Sequence, residues 1–161
     1  MLQLIGSLFV SWNTASNGML RGCIGTFLPQ PLETALKRYA CEAAFNDKRF
    51  KPVSATELPG LVCSVSLLRD FEECKDYLDW DLGVHGVSVQ LPTQDRVYSA
   101  TFLPEIALNQ GWSKRETIEY ALRKAGWHQK ISEDLLAYIR VQRYRSDKRS
   151  ATWKDYVGDD R

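Results

Sequence analysis

The chain has 161 residues, 44% of them hydrophobic and 25% charged, with 21 basic side chains against 20 acidic ones and a net charge of +1. That length holds one domain with a core large enough to need no disulfide or metal staple. The balanced charge excludes a global pull toward nucleic acid or anionic membranes. Met1–Val10 is apolar but broken by Gln3, Gly6 and Ser7; it is too short to cross a bilayer and lacks the basic start of a secretory signal.

In chain order, Leu8–Trp12 reads as a short strand, Asn13–Gly18 as a turn closed by Asn17-Gly18, and Met19–Phe27 as the returning strand of a hairpin. Pro29 and Pro31 are expected to stop that strand. Leu32, Leu36, Tyr39, Ala43 and Ala44 recur at helical spacing through about Asn46. Leu61–Leu68 alternates as a buried strand, and Phe71–Tyr77 reads as a short polar helix or turn. Val84–Leu91 and Arg96–Leu103 form a second hairpin around the Pro92–Asp95 turn. Pro104–Gly111 is a short helix. Ser113 with Glu116 makes a capping box that opens a helix to Ala125, closed by Gly126. Ser132–Leu136 forms another turn or helix start, Ile139–Arg145 alternates as a strand, and Thr152–Tyr156 adds a helical turn before a frayed tail at 158–161.

Thr26-Phe27-Leu28-Pro29 recurs as Thr101-Phe102-Leu103-Pro104, seventy-five residues later. Each copy ends a hairpin and leads into a helix and then a strand. The pattern implies two internal strand–strand–helix–strand repeats, about 8–68 and about 84–145, in one α+β domain. At the same offset Arg21-Gly22-Cys23-Ile24-Gly25 corresponds to Arg96-Val97-Tyr98-Ser99-Ala100. The second copy builds its strand without glycine, so the glycines of the first answer a local demand.

Glycine inside a strand marks a bulge, a bound ligand or another backbone at close range. Alternation puts Leu20, Gly22 and Ile24 on one face, directed to the core, and Arg21, Cys23 and Gly25 on the other. Arg21 and Cys23 then lie about 6–7 Å apart, where a guanidinium would favour a thiolate. Gly22 and Gly25 would let a ligand approach freed amides. Against this stands Cys23 as a small buried hydrophobe and Arg21 as a structural ion-pair member. Cys41 and Cys63 are expected in the core and Cys74 partly exposed.

His85, in Gly83-Val84-His85-Gly86, is the better of two histidines as a base for Cys23, with Asp79, Asp81 or Glu105 to orient it; His128 reads as a surface residue. No C-x-x-C pair or histidine cluster suggests a metal, and no dinucleotide, P-loop or G-x-S-x-G motif suggests a cofactor or those chemistries. Arg140, Arg143 and Arg145 with Tyr144 form a basic run, but nearby acids favour a solvated strand face over nucleic acid. A reducing intracellular compartment, cytoplasmic or nuclear, and free thiols are expected.

Leu20-Arg21-Gly22-Cys23-Ile24-Gly25-Thr26-Phe27 resembles the signature of the AMMECR domain family, named for a chromosomal region linked to Alport syndrome, midface hypoplasia and elliptocytosis. The resemblance continues in Glu57-Leu58-Pro59, Cys63–Leu68, Asp76–Trp80, Gly83–Gly86, Thr101–Glu105, Gln110–Trp112 and Arg143–Ser146. It covers about residues 8 to 157 and is similar to the animal branch. It implies an α+β fold with a curved, barrel-like sheet and duplicated units. It also implies an unsettled biochemical activity, with Cys23 as the candidate active or binding residue and, through microbial relatives found with Memo-like and radical-SAM proteins, a metabolic or RNA-modification setting. The family carries a helix before the first strand, so residues 1–7 read as a shortened or variable start.

Two classes of function follow. One is a small-molecule or RNA-modification-related enzyme, with Cys23 and His85 catalytic and Arg21, Gly22, Gly25 and Glu105 binding the ligand. The other is a non-enzymatic module that binds a protein, or a nucleic acid through Arg140, Arg143 and Arg145.

Overall fold

The computed structural model describes residues 4–158. Two compact units are present: one is formed by the chain up to Leu68 together with the stretch from Asp147 onward, the other by Arg69–Ser146.

In the first unit, β1 (Ile5–Thr14) and β2 (Leu20–Pro31) form the expected hairpin, with Gly18 at φ +70° in its turn. β1 is paired antiparallel on both sides, to β2 and to β3 (Leu61–Glu73), so Val10 faces Ile24 on one flank and Val65 on the other. The helix α1 (Leu32–Phe45) covers one face of these strands. Leu8, Val10 and Ala35 are buried there with Leu32, Leu36, Tyr39 and Val65 packed around them; full burial of each Leu or Val is worth about 1.5–3 kcal/mol.

β2 does not stop before its prolines: it runs through Pro29 to Pro31. It is an edge strand, paired on one side to β1, so among the described residues there is no ladder beyond it to receive the N–H that proline lacks. The register with β1 also shifts between Gly6 and Leu8, opposite the stretch of β2 that contains Pro29.

In the second unit, β4 (Gly86–Pro92) pairs antiparallel with β5 (Val97–Phe102) and with β6 (Arg140–Thr152). Helices α2 (Pro104–Gln110), α3 (Lys114–Lys124) and α4 (Glu133–Tyr138) lie between β5 and β6 in sequence. The capping box of α3 is formed, Gly111 closes α2 in the left-handed region, and Val87, Val89, Leu91, Ile118, Leu122, Leu136 and Val141 make the core. A short helix α5 (Trp153–Val157) opens on a second capping box, Thr152 with Asp155. Of the frayed tail expected at 158–161, residues 159–161 lie outside the described residues. The α+β class is the one found.

The polar helix or turn expected over Phe71–Tyr77 is instead the end of β3, which continues through Glu73. Side chains on β6 hold it there. Arg143 donates to Glu72 and Gln142 to Glu73, and the Phe71 ring stacks on Tyr144 with centroids 5.1 Å apart. β6 likewise runs seven residues past Arg145, to Thr152.

Candidate functional site

The two glycines of the signature strand are answered by backbone. A Cβ on Gly22 would lie 1.8 Å from the Ala43 carbonyl oxygen of α1, and one on Gly25 would lie 2.2 Å from the Leu8 carbonyl and 2.5 Å from Phe9 Cα. Helix and strand therefore meet main chain to main chain. The Trp12 indole N–H, across the ladder from Gly22, donates to the Ala40 carbonyl and ties the same helix down. By alternation Cys23 is on the opposite face from Gly22.

Arg21 is committed elsewhere than to Cys23. Its Nε and Nη2 bind Glu57 Oε1 at 2.9 and 2.8 Å, and Nη1 donates to the Lys51 carbonyl at 3.2 Å. Glu57 also accepts from the Ser54 N–H; that bond first, then Arg21, holds its carboxyl below the usual range. Arg21 thus fastens the loop that follows α1.

A second charged pair holds Cys23 itself. The Cys23 N–H donates to Asp47 Oδ2 at 2.9 Å, and Arg49 Nη2 donates to the Cys23 carbonyl at 3.3 Å. Asp47 is 6% exposed and binds Arg49 through both oxygens, at 3.0 and 2.7 Å. The Arg49 side chain, outweighing burial, holds the Asp47 carboxyl well below the usual carboxylate range, and the Cys23 N–H adds to this. Acid and guanidinium together stand where a neighbouring strand would pair with the open edge of β2. Arg49 couples electrostatically to Cys23. Sequence reasoning missed this pair: Asp47 and Arg49 sit in a polar stretch after a helix, and nothing local ties them to Cys23.

The other thiols differ from expectation in one place. Cys41 is exposed, because it lies on the outer side of α1. Cys63 packs against the first core with its thiol pushed up by burial, and Cys74 is pushed up to about 11 by burial and then by Asp79.

His85 belongs to the second unit. It is 7% exposed and lines a cleft of about 530 Å³ with Asp70, Phe71, Glu72, Asp81, Arg143 and Arg145. Gly83, at φ +75°, turns the chain toward it, and Gly86 follows because a Cβ there would enter the Tyr144 ring at 2.3 Å. The buried Tyr144 hydroxyl donates to the Phe102 carbonyl and pairs with Thr101. His85 Nδ1 accepts the Asp81 N–H at 3.0 Å, with Asp81 Oδ2 at 3.7 Å. This assigns the proton of the neutral ring to Nε2. Burial holds the imidazole below its ordinary value, helped by Arg145 and Arg143 and opposed by Asp81 and Glu72. Nε2 has no hydrogen-bond partner among the described residues. Trp127 Nε1 is the one fully buried side-chain nitrogen or oxygen in that condition there, so His85 Nε2 keeps an opening.

Of the three acids considered as orienting partners, Asp81 stands beside His85. Asp79 accepts from Arg143 at 3.0 Å and from the Lys75 N–H. Glu105, in the first turn of α2, acts electrostatically on the Tyr144 hydroxyl. Arg143 is held by Glu72 and Asp79, whereas Arg145 is exposed and makes no hydrogen bond or ion pair among the described residues. No cluster of three metal-ligating side chains occurs among the described residues, and no helix there is long and apolar enough to cross a membrane.

The first unit also holds two apolar clefts of about 490 Å³ each that share Trp12 and Leu58, one running to Cys41 and Phe45, the other to Trp153 and Tyr156.

A family model described as AMMECR1 matches residues 1–149. The chain is 42% identical over 155 residues to an uncharacterised protein of Arabidopsis thaliana, covering 93% of this chain and 72% of that one. It is 43% identical over 138 residues to an uncharacterised protein of Schizosaccharomyces pombe, covering 86% and 70%. The crystal structure of an uncharacterised protein from Pyrococcus horikoshii matches with a TM-score of 0.73 at 27% identity, covering 90% of this chain and 73% of that one.

Proposed function

The chain belongs to the AMMECR1 family, and we propose that its domain binds a small ligand in the cleft around His85. One observation carries this reading: a side chain only 7% exposed keeps a donor without an acceptor at the wall of an open cavity. Nε2 opens onto the cleft rather than into the core, so its bond in the free protein is to solvent, and an acceptor on a ligand can take that bond over. The Asp81 N–H on Nδ1 holds the ring in one tautomer and one orientation, as a specific contact requires. It also occupies the lone pair a general base would use, so His85 acts here as a donor.

The test is a side-chain NMR titration of the imidazole with panels of small carboxylates, phosphates, amines and neutral sugars. The expected result is a compound that shifts His85 together with the Phe71 ring. A panel that shifts neither, or shifts only residues lining the Trp12 clefts, rejects the site.

A second reading rests on Arg49. A guanidinium that couples to Cys23 and grips its carbonyl supports a thiol of raised reactivity. Cys41, exposed on the same chain, is an internal reference for a labelling titration. An apparent Cys23 pKa near the free value of about 8.5, with labelling no faster than at Cys41, removes this reading. Nucleic-acid binding through Arg140, Arg143 and Arg145 is the less favoured alternative because Glu72 and Asp79 already neutralise Arg143.

A further inference from the structure

Taking the His85 cleft as the ligand site, we propose that it recognises an oxyanion head group, a carboxylate or phosphate held jointly by His85 Nε2–H and the Arg145 guanidinium. One cleft brings the two donors together. The β4–β6 ladder ends at Gly86 opposite Tyr144, so His85, just before β4, and Arg145, just after Tyr144, come at the same end of it, and both line the same cleft. The Arg145 charge acts on the imidazole there.

The charges of the cleft say what is left over. Asp70 pairs with Arg69, and Glu72 with Arg143 at 2.9 Å. Asp81 has the Lys114 ammonium at 3.8 Å in addition to the His85 ring. Each acid of the lining therefore has a cation, and Arg143 has two acids. Among the described residues, Arg145 is the charged group of the lining without a counterpart, and His85 Nε2 is the polar atom without one. Both are donors with no acceptor capacity in these protonation states. A ligand that completes them must bring acceptor oxygens and negative charge, and guanidinium and carboxylate or phosphate match in both respects. Phe71, partly exposed and stacked on Tyr144, gives the same cleft one apolar wall for the body that carries the head group.

Arg145 is exposed and has no partner among the described residues, so Arg145→Gln changes the donor without disturbing the core. The full chain is titrated with sodium acetate and with inorganic phosphate at fixed ionic strength, following the His85 imidazole resonances; ammonium chloride and glucose serve as cationic and neutral controls. The oxyanions are expected to shift His85 saturably, and Arg145→Gln to weaken that binding by about tenfold, the loss of one charge-assisted hydrogen bond, with Arg145→Lys recovering part of it. Preference between acetate and phosphate tells which source of oxyanion the cleft accepts. Equal oxyanion binding by the wild type and Arg145→Gln overturns the inference. Saturable shifts by ammonium or glucose alone overturn it while leaving a ligand cleft at His85. Shifts by no probe in any series count against both.

Discussion

Where the first hairpin returns as Arg21-Gly22-Cys23-Ile24-Gly25, the second, at the same offset in its own unit, returns as Arg96-Val97-Tyr98-Ser99-Ala100. On β2, Gly22 admits the Ala43 carbonyl and Gly25 admits the backbone of β1. On β5, side chains do the fitting. Tyr98 meets the Trp127 ring edge-on at 5.3 Å, and the Arg96 guanidinium lies over Tyr98 at 4.0 Å. The permissive glycine has moved off the strand to Gly126 after α3, at φ +99°. Gly22 thus lets one strand accept a helix, and Gly25 lets it accept the neighbouring strand. The arginines differ in the same way: Arg21 is an ion-pair anchor for a loop, and Arg96 is a lid on an aromatic ring.

Exchanging the two solutions breaks the comparison most severely. Gly22→Ala drives a Cβ into a carbonyl that cannot rotate away, and should cost at least about 3 kcal/mol. On β5, Ala100→Gly at the position matching Gly25 should cost only about 0.5–1 kcal/mol. Urea midpoints decide between them, and a Gly22→Ala protein within 1 kcal/mol of wild type would remove the packing explanation and return the glycines to ligand binding.

The clamp on β2 comes next. Asp47→Asn keeps the shape but weakens the bonds to Arg49 and to the Cys23 N–H, at about 2 kcal/mol. Because the folded carboxyl titrates below its unfolded value, Asp47 contributes stability at all pH above about 4, and loses it only as pH falls through the depressed folded value. The wild-type advantage over Asp47→Asn should therefore hold from pH 7 to pH 5.

His85 should respond within that window, where the Asp47 contribution is flat. Its folded pKa lies below the unfolded value of 6.5, so below that pH the unfolded chain binds more protons and stability falls with acidification. Asp81, Glu72, Arg143 and Arg145 all face it, and the two guanidiniums join burial in opposing its protonation. A melting temperature that drops from pH 7 to pH 5 in the wild type but less in His85→Gln is the expected result; parallel slopes would mean that His85 is not the titrating group. The smallest effect separates neighbouring arginines of β6. Arg143→Gln should cost up to about 1 kcal/mol through Glu72 and Asp79, whereas Arg145→Gln should stay within about 0.5 kcal/mol of wild type.

What was legible in the sequence was whatever neighbours along the chain decide. The Ser113–Glu116 box, the stops at Gly111 and Gly126, the Asn17-Gly18 turn and the alternation of Leu61–Leu68 are local chemistry, and all are found. The position of His85 at a strand entry was legible too, and so was the family signature. Decided only by tertiary structure were the partners brought from far along the chain. Phe71-Glu72-Glu73 has no strand pattern of its own and becomes strand because Tyr144, Arg143 and Gln142 lie across from it. Asp47 and Arg49 become the edge of β2 because α1 turns its end back onto Gly22. The same holds for the signature itself. Sequence singled out Arg21-Gly22-Cys23-Ile24-Gly25 as unusual, and packing determined why: glycine is required where two backbones meet, and which backbones meet depends on the fold as a whole.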